Sequence, residues 1–302
     1  MNLSTHNLFK NVKKDGMIEI TGENLLSLQK VLLMIMDDID HVCRQHNLKY
    51  MLGGGTALGA VRHSGFIPWD DDIDINMPRN DYNIFLDTFA KEMGDKYWVQ
   101  SVKHTETYVS PAGRIRLKGT KIRAHDDIND DESGIYIDIF PIENTYNNFI
   151  LRKLHCFFSL GLGFILSCKR FYDSKDLYKE LFNNMPEAHN VIKVKTAIGF
   201  CFSFFSIHTW LIILDRCHSI CSNQNSKYVV IPSGMKHFNG ELYLRHPYLD
   251  VIEADFENRK YYITKDFDNY LKILYNNYMQ IPPEEKREKH VVLEFNLGDY
   301  GK

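Results

Sequence analysis

The 302-residue sequence lacks several features that mark whole classes of protein. Its six cysteines form no CxxC pair, which argues against a disulfide scaffold and favours small apolar side chains in a reducing compartment. Cys217 and Cys221 lie one helical turn apart near Asp215 and His218, but the second cluster that a zinc site usually needs is missing. The formal net charge of −3 creates no overall field that attracts nucleic acid, so no nucleic-acid partner is expected.

The N-terminus also lacks a long apolar run. MNLSTHNLFKNVKKDGM has no apolar stretch after its basic residues, so no signal peptide is expected and the catalytic part is expected in the cytoplasm. The chain shows no internal repeat and no low-complexity segment. With 44% hydrophobic and 25% charged residues, the composition is that of an ordinary folded protein.

Apolar periodicity predicts an α/β (α+β) fold with a mixed sheet flanked by helices. Leucine and isoleucine recur at helical spacing within residues 22–47, and Thr21 is a candidate N-cap. The other predicted elements are strands at 50–52, 72–76, 97–102, 114–117, 120–124 and 135–140, helices at 57–62, 80–89 and 266–279, and an acidic loop at 126–132.

The densest chemical signal is the run Trp69-Asp70-Asp71-Asp72-Ile73-Asp74-Ile75. Because strand side chains alternate between faces, Asp72 and Asp74 are expected on one face, beside each other. Adjacent carboxylates repel unless a cation lies between them, and Mg²⁺ (or Mn²⁺) suits such oxygen ligands. Asp138 is a single acid in an apolar strand, so it is predicted as the third ligand or as the base for an acceptor hydroxyl. A solvated strand end with surface acids is the alternative.

A glycine-rich turn, Gly53-Gly54-Gly55-Thr56, lies between a predicted strand and a predicted helix. The turn is a candidate phosphate cradle, since glycines admit close approach and a helix N-terminus favours anions. Arg62 could clamp a phosphate with two hydrogen bonds, and His63 could donate one. A simple turn, a surface arginine and an ordinary loop histidine are the alternatives. Beside the acids, this group predicts phosphoryl transfer.

Three stretches of the chain resemble the LicD family. They are the run from Gly54–His63 (GGTALGAVRH) through Gly65–Ile75 (GFIPWDDDIDI), the strand Tyr136–Pro141 (YIDIFP) and the C-terminal Tyr275–Arg287 (YNNYMQIPPEEKR). The first run is long and specific, whereas the middle of the chain, residues 145–225, diverges. The resemblance implies a nucleotidyltransferase-like fold, similar to fukutin-type proteins. It also implies Asp72, Asp74 and Asp138 as metal ligands, with Gly54, Gly55 and Thr56 binding phosphate.

Bacterial members of that family are known for moving phosphocholine from CDP-choline onto a cell-surface glycan. The resemblance therefore implies an Mg²⁺-dependent phosphotransferase that moves a phospho-alcohol from a CDP-linked donor to a sugar hydroxyl and releases CMP. The acceptor would be a glycan or lipid-linked glycan, as in lipopolysaccharide, teichoic acid or capsule. A choline ammonium is expected against aromatic faces, for which Trp69, Tyr82 and Tyr136 are near in sequence, with plain packing as the alternative. Trp69 and Asp71 complete the predicted substrate-binding residues.

The sequence divides by character into three predicted parts. These are a nucleotidyltransferase-like catalytic core at 1–145, a helical apolar insertion at 146–225 and a C-terminal part at 226–302 that packs back on the core. The apolar segments 157–168 and 196–214 are interpreted first as a buried helix pair, second as a membrane-surface contact and third as a true span. Lys153, Lys169 and Arg170 suit an anionic inner leaflet, which would place the protein at the inner face of the cytoplasmic membrane.

Three other functions compete with this prediction. A glycosyltransferase also uses a DxD-type acid pair, but it has no need of the glycine turn. A nucleotidyltransferase would take its nucleotide from an NTP. A non-catalytic scaffold for capsule assembly would need none of the acids. The transferred alcohol stays open among choline, ethanolamine, glycerol and ribitol.

Overall fold

Thirteen short strands appear in the computed structural model, which describes residues 18–123, 132–183, 185–287 and 291–301. In chain order they are β1 (Ile18–Glu19), β2 (Met51–Leu52), β3 (Asp74–Pro78), β4 (Tyr97–Gln100), β5 (Gly113–Leu117), β6 (Lys121–Arg123), β7 (Tyr136–Thr145), β8 (Tyr228–Val230), β9 (Leu242–Leu244), β10 (Val251–Phe256), β11 (Arg259–Thr264), β12 (Val291–Val292) and β13 (Glu294–Asn296).

Seven of these strands form one mixed sheet in the order β2-β3-β7-β5-β4, with β8 and β9 added beside the second half of β7. β3 and β7 run parallel, and the other neighbours run antiparallel. The parallel register places Asp74 opposite Asp138 and Ile75 opposite Ile139. Both isoleucines are completely buried, so alternation sends the two aspartates to the other face of the sheet.

Ten helices surround the sheet or form a separate layer in the described part of the chain. They are α1 (Gly22–Gln45), α2 (Gly54–His63), α3 (Arg79–Met93), α4 (Phe149–Asp173), α5 (Lys175–Leu181), α6 (Pro186–Cys201), α7 (Ile207–His218), α8 (His237–Gly240), α9 (Arg245–Tyr248) and α10 (Phe267–Tyr275). The predicted fold class is thereby confirmed. α1 buries the predicted apolar stripe, and Thr21 occupies its N-cap position without a side-chain hydrogen bond.

Two boundaries near the acids differ from the prediction. α2 begins at Gly54, so the glycines form its first turn. β3 begins at Asp74, so the predicted strand start at Asp72 is wrong. The preceding residues form other bonds: the Asp70 amide donates to Ile67 in a turn, and the Asp70 carbonyl accepts from Gln29. The predicted loop at 126–132 lies outside the described residues, apart from Glu132.

The helical region consists of α4, α5, α6 and α7. The segment 196–214 is not one element, because α6 ends at Cys201 and α7 begins at Ile207. Among the described helices, only α4 is long and apolar enough to cross a membrane, and 22% of its most apolar window is buried. The preferred interpretation of a buried helix pair is confirmed where Leu166 of α4 packs on Leu211 of α7. It is wrong for the outer face of α4, where Phe157 and Phe158 are exposed.

The C-terminal part contacts the core next to the glycines. β11 packs on β2, and α10 packs on α2 through a face that buries Tyr270, Leu271 and Leu274. α10 ends at Tyr275, earlier than the predicted end at 279, and Asn276 follows with a positive φ of 57°. This packing brings α10 to the part of the sheet where β3 and β7 carry Asp74 and Asp138, called here the acid-bearing edge. The division into three domains stays a prediction.

Candidate active site

Short hydrogen bonds hold the first turn of α2 against the start of β3. The Gly53 amide donates to the Asp74 carbonyl at 2.8 Å, and the Asp74 amide donates to the Thr56 hydroxyl at 2.9 Å. The Gly54 amide donates to the Tyr270 hydroxyl at 2.8 Å, so α10 also takes part. Buried Thr56 therefore orients Asp74 in this structure, and its predicted contact with phosphate stays a prediction.

The glycines leave little space between the helix and the carboxylates. A Cβ atom on Gly54 would lie 3.6 Å from Asp74 Oδ2 and 3.6 Å from the Tyr275 hydroxyl oxygen. A Cβ atom on Gly55 would lie 3.1 Å from Asp70 Oδ2. Gly54 has φ of +44°, which side chains with a Cβ rarely adopt. The positive end of the helix dipole thus faces two carboxylates at close range.

Asp74 and Asp138 are adjacent partners on the parallel strands β3 and β7. Asp138 also faces Arg114 on the neighbouring strand β5. The Arg114 Nε donates to Asp138 Oδ1 at 2.6 Å, and a terminal Arg114 nitrogen donates to Asp138 Oδ2 at 2.9 Å. The Arg114 guanidinium lies 3.7 Å from the Tyr136 ring centre. Burial lowers the pKa of Arg114, but the charge and hydrogen bonds of Asp138, together with Tyr136 and Tyr108, raise that pKa above its ordinary range. Asp138 is thereby held in place and balanced in charge.

The loop before β3 contains a second group of acids. Asp70, Asp71 and Asp72 each offer an oxygen within 4.8 Å of the others, and all three are half-buried. Ligands on opposite sides of Mg²⁺ are about 4.2 Å apart, so small movements would let these three bind one ion. Among the described residues this is the single such group of three. It includes Asp72 but not Asp74 or Asp138, so a common site for the predicted triad stays a prediction.

Tyr275, at the end of α10, lies close to the first turn of α2 and to Asp74. Burial raises the pKa of its hydroxyl above the ordinary value, and Tyr270 and the charges of Asp74, Asp70 and Asp72 raise it further. The hydroxyl therefore stays protonated at neutral pH and can donate a hydrogen bond. The hydroxyl lies near Asp74 at the first turn of α2, where a Cβ atom on Gly54 would be 3.6 Å from both groups.

Arg62 and His63, at the end of α2, contact protein rather than the acids. One Arg62 terminal nitrogen donates to the Tyr278 carbonyl at 2.7 Å, and Nε lies 3.4 Å from His63 Nδ1. Burial lowers the pKa of Arg62, and the Asp70 charge partly opposes this shift. Burial, followed by the Arg62 charge, lowers the pKa of His63, which favours its neutral form. Their predicted phosphate contacts stay predictions.

Trp69 and Asp71 line a cavity of about 560 Å³ beside the acid loop. Four carboxylates border this cavity: Glu19, Asp71, Glu284 and Glu285. The Arg287 guanidinium also lines it and lies 4.2 Å from the Trp69 ring centre. A cation therefore already contacts the indole in surroundings rich in negative charge, which is the environment that an ammonium group prefers.

Four residues of this site were not predicted from the sequence: Asp70, Arg114, Tyr270 and Tyr275. Asp70 was part of the acid run, but the predicted strand began only at Asp72. Arg114 looked like an ordinary strand residue until the register placed it beside Asp138. Tyr270 and Tyr275 come from α10, and the only signal for Tyr275 was its place in the C-terminal stretch quoted above.

Two comparisons with known proteins cover this site. Residues 47–158, which include the glycines and all the acids, match the family described as LicD/FKTN/FKRP, nucleotidyltransferase domain. The lipopolysaccharide cholinephosphotransferase LicD of Haemophilus influenzae is 28% identical over 281 residues, covering 88% of this chain and 95% of that protein.

Two short matches concern rickettsial proteins whose names give no function. The uncharacterized protein RP689 of Rickettsia prowazekii is 44% identical over 62 residues, or 20% of this chain and 22% of that protein. The uncharacterized protein RT0683 of Rickettsia typhi is 38% identical over 81 residues, or 26% of this chain and 24% of that protein.

Proposed function

Because residues 47–158 are a LicD-family domain, we propose that this protein transfers phosphocholine from a CDP-linked donor to a sugar hydroxyl of a cell-surface glycan. The supporting observation is the first turn of α2, whose glycines face Asp74 and Asp70 at close range. An anion-binding helix end next to a carboxylate cluster is what a metal-dependent phosphotransferase requires. The cholinephosphotransferase named above supports choline and lipopolysaccharide as substrates.

The donor pyrophosphate is proposed to lie between the α2 N-terminus and the acids. Gly55 and Thr56 lie in that first turn, where the helix dipole favours negative charge. The Tyr275 hydroxyl, close to Gly54, is positioned to donate to a phosphate oxygen. Arg62 would approach only after its bond to the Tyr278 carbonyl is released.

Mg²⁺ or Mn²⁺ is the proposed cofactor, held by Asp70, Asp71 and Asp72 with Asp74 beside them. Their carboxylate oxygens are the ligand type that these ions prefer, and the spacing of the loop acids fits one ion. Such an ion would balance the negative charge on the phosphates. Asp138 lies on the neighbouring strand and keeps free lone pairs, because a carboxylate can accept about four hydrogen bonds.

The proposed transfer balances as a simple substitution at phosphorus. The acceptor hydroxyl oxygen bonds to the choline-bearing phosphorus, the bridging P–O bond breaks, and CMP leaves. A site carboxylate accepts the hydroxyl proton. Both Asp138 oxygens already accept bonds from Arg114, so a proton there would compete with two charge-assisted hydrogen bonds. We therefore assign Asp138 to holding the site together rather than to proton transfer.

The cavity beside Trp69 is the proposed site for the choline head group. Its carboxylates attract a cation, and the indole provides an aromatic face. A quaternary ammonium would replace the Arg287 guanidinium on that ring. Glycerol and ribitol carry no charge and would gain nothing from these groups, so choline is preferred over those alcohols.

The direct test is CMP release from a panel of CDP-alcohols with Mg²⁺ and a lipopolysaccharide acceptor. We expect release with CDP-choline and its loss in Asp72→Ala and Asp74→Ala. Asp255→Ala is the matched control, because that exposed carboxylate pairs with Lys260 on a distant hairpin. Unchanged activity in both site variants would refute the proposal. Release of UDP or GDP from a sugar nucleotide, or transfer of a nucleotide from an NTP, would replace it with another transferase.

A further inference from the structure

The outer face of α4 exposes a continuous apolar surface. Ile150, Leu154, Phe157, Phe158 and Phe164 follow one another at spacings of four, three, one and six residues, and all are exposed, with Phe157 at 70%. Such spacing places them on one side of a helix. Soluble proteins rarely expose so many large apolar side chains together unless the surface binds something.

A basic groove lies at the C-terminal end of the same helix. It has a volume of about 720 Å³, and Ile192, Phe200 and Tyr172 form its apolar part. Lys175, Lys179 and Lys193 line it as well, together with His189. Among the side chains that the structure describes, Lys179 pairs only with exposed Asp176, and Lys175 and Lys193 pair with no carboxylate. The groove therefore combines apolar surface with positive charge.

The charge of this segment differs from that of the rest of the chain. Residues 149–201 contain eight lysines and arginines and four acids, whereas the whole chain has a formal net charge of −3. The excess positive charge is thus concentrated on the segment that also exposes the apolar helix face. This combination is typical of a helix that lies in the interface of an anionic membrane.

We propose that the outer face of α4 and the groove formed by α4, α5 and α6 dock this protein on an anionic lipid bilayer. The exposed phenylalanines enter the boundary between head groups and acyl chains, and the three lysines contact lipid phosphates. Docking of this kind would hold the enzyme beside membrane-bound acceptors. It does not depend on the proposed reaction, and either can fail alone.

The inner face of α4 shows why the helix lies on the membrane rather than across it. His155 is buried, with Nδ1 at 3.1 Å from the Thr145 hydroxyl and Nε2 at 2.8 Å from the Cys217 carbonyl. Its ring also packs on Phe238 with 4.7 Å between ring centres. A spanning helix would lose these contacts and place polar groups in lipid, at a cost of several kcal/mol for each unsatisfied group.

A second copy of the chain is a poorer occupant for this surface. Two copies joined through it would bring the lysines of both grooves near one another, and like charges across an interface are unfavourable. An anionic bilayer supplies the opposite charge over the whole area. Charge complementarity therefore selects the membrane.

Vesicle flotation tests this directly. We expect the protein to float with vesicles of phosphatidylcholine plus phosphatidylglycerol, to stay behind with phosphatidylcholine alone, and to dissociate in high salt. Lys175→Gln/Lys179→Gln/Lys193→Gln should reduce binding about 100-fold, since each lysine near such a surface contributes about 1 kcal/mol. Phe157→Ser/Phe158→Ser should reduce it about 30-fold through lost apolar burial.

The controls change the same residue types elsewhere. Lys227→Gln/Lys260→Gln/Lys272→Gln removes three exposed lysines, and Leu26→Ser/Ile84→Ser removes two exposed apolar side chains. Both should bind like the wild type, and circular dichroism should show all variants folded. Equal binding to both vesicle types, no binding, or equal losses in the controls would overturn the proposal. So would a dimer in solution that Phe157→Ser/Phe158→Ser dissociates, because the surface would then join two copies.

Discussion

The acid-bearing edge of the sheet and the helical region differ in which side chains they bury and which they expose. At the sheet, charged groups are half-buried or buried, and they are paired: half-buried Arg114 holds half-buried Asp138, and Arg79 bonds to buried Glu143. In the helical region, apolar side chains such as Phe157 are exposed. Buried pairs are expensive to form and fix geometry, whereas exposed apolar residues add little to folding. The first arrangement suits chemistry, and the second suits contact with another surface.

The largest effect is expected at Asp74. If the proposed function holds, Asp74→Asn should lower CMP release at least about 1,000-fold, because the site would lose charge proposed to hold a divalent ion beside the phosphates. The urea midpoint should change little, since the amide keeps the shape of the half-buried side chain. Asp87→Asn, which alters an exposed carboxylate beside Lys103, is the control. Equal activity in the two variants would show that the sheet edge is not the active centre.

Gly54→Ala should separate the cost of backbone strain from the cost to the site. Its positive φ predicts a loss of about 1–2 kcal/mol in unfolding free energy. Gly119→Ala carries the same kind of strain, with φ of +78° and no atom within 4 Å of the added Cβ. We expect similar losses of stability, but about 100-fold lower activity in Gly54→Ala alone, because its Cβ enters the space beside Asp74. Matching activities would argue against phosphate binding at this turn.

Stability should depend on pH through Glu241, a buried acid of the C-terminal part. Burial raises its pKa to about 7 from 4.5, although the Lys236 amide donates to it. The folded state thus holds a proton that the unfolded state has lost, so unfolding free energy falls as pH rises from about 4.5 to 7, by about 2–3 kcal/mol. Urea unfolding across this range should show the slope in the wild type and a reduced slope in Glu241→Gln. An unchanged slope would assign it to other groups.

Trp69 tests the preference for choline. Trp69→Ala should lower the ratio of CDP-choline to CDP-glycerol turnover about 10-fold, since a cation over an indole gains about 0.5–2 kcal/mol. Trp69→Phe should retain part of the preference, because a ring remains. Equal losses with both donors would mean that Trp69 only packs beside Arg287.

The smallest change in stability is expected at the exposed phenylalanines of α4. Phe157→Ser and Phe158→Ser should each change unfolding free energy by less than about 0.5 kcal/mol, because both rings are exposed. Phe85→Ala and Phe89→Ala, which empty completely buried positions, should each cost about 3–5 kcal/mol. Measured in the absence of lipid, a large loss at Phe157 would show that α4 is covered by protein after all.

Elements with a strong local pattern could be predicted, and their ends could not. The apolar stripe of α1 and the alternation around Ile137 and Ile139 led to correct elements. The start of β3 was missed because a turn at Asp70 and the Gln29 bond compete with the strand, and neither leaves a periodic signal. In the helical region, a mean apolar content did not distinguish a buried face from an exposed one.

The sequence by itself determined which residues form the candidate site: a glycine run at a helix start, four aspartates within five residues and a lone Asp138 in an apolar strand. These follow from local rules, since strand and helix periodicity act over a few residues. Only the tertiary structure decided that Asp138 lies beside Asp74, that Arg114 holds it and that Tyr275 lies close to Gly54. Such contacts link residues far apart in the chain, and they depend on strand register and helix packing that no short pattern encodes.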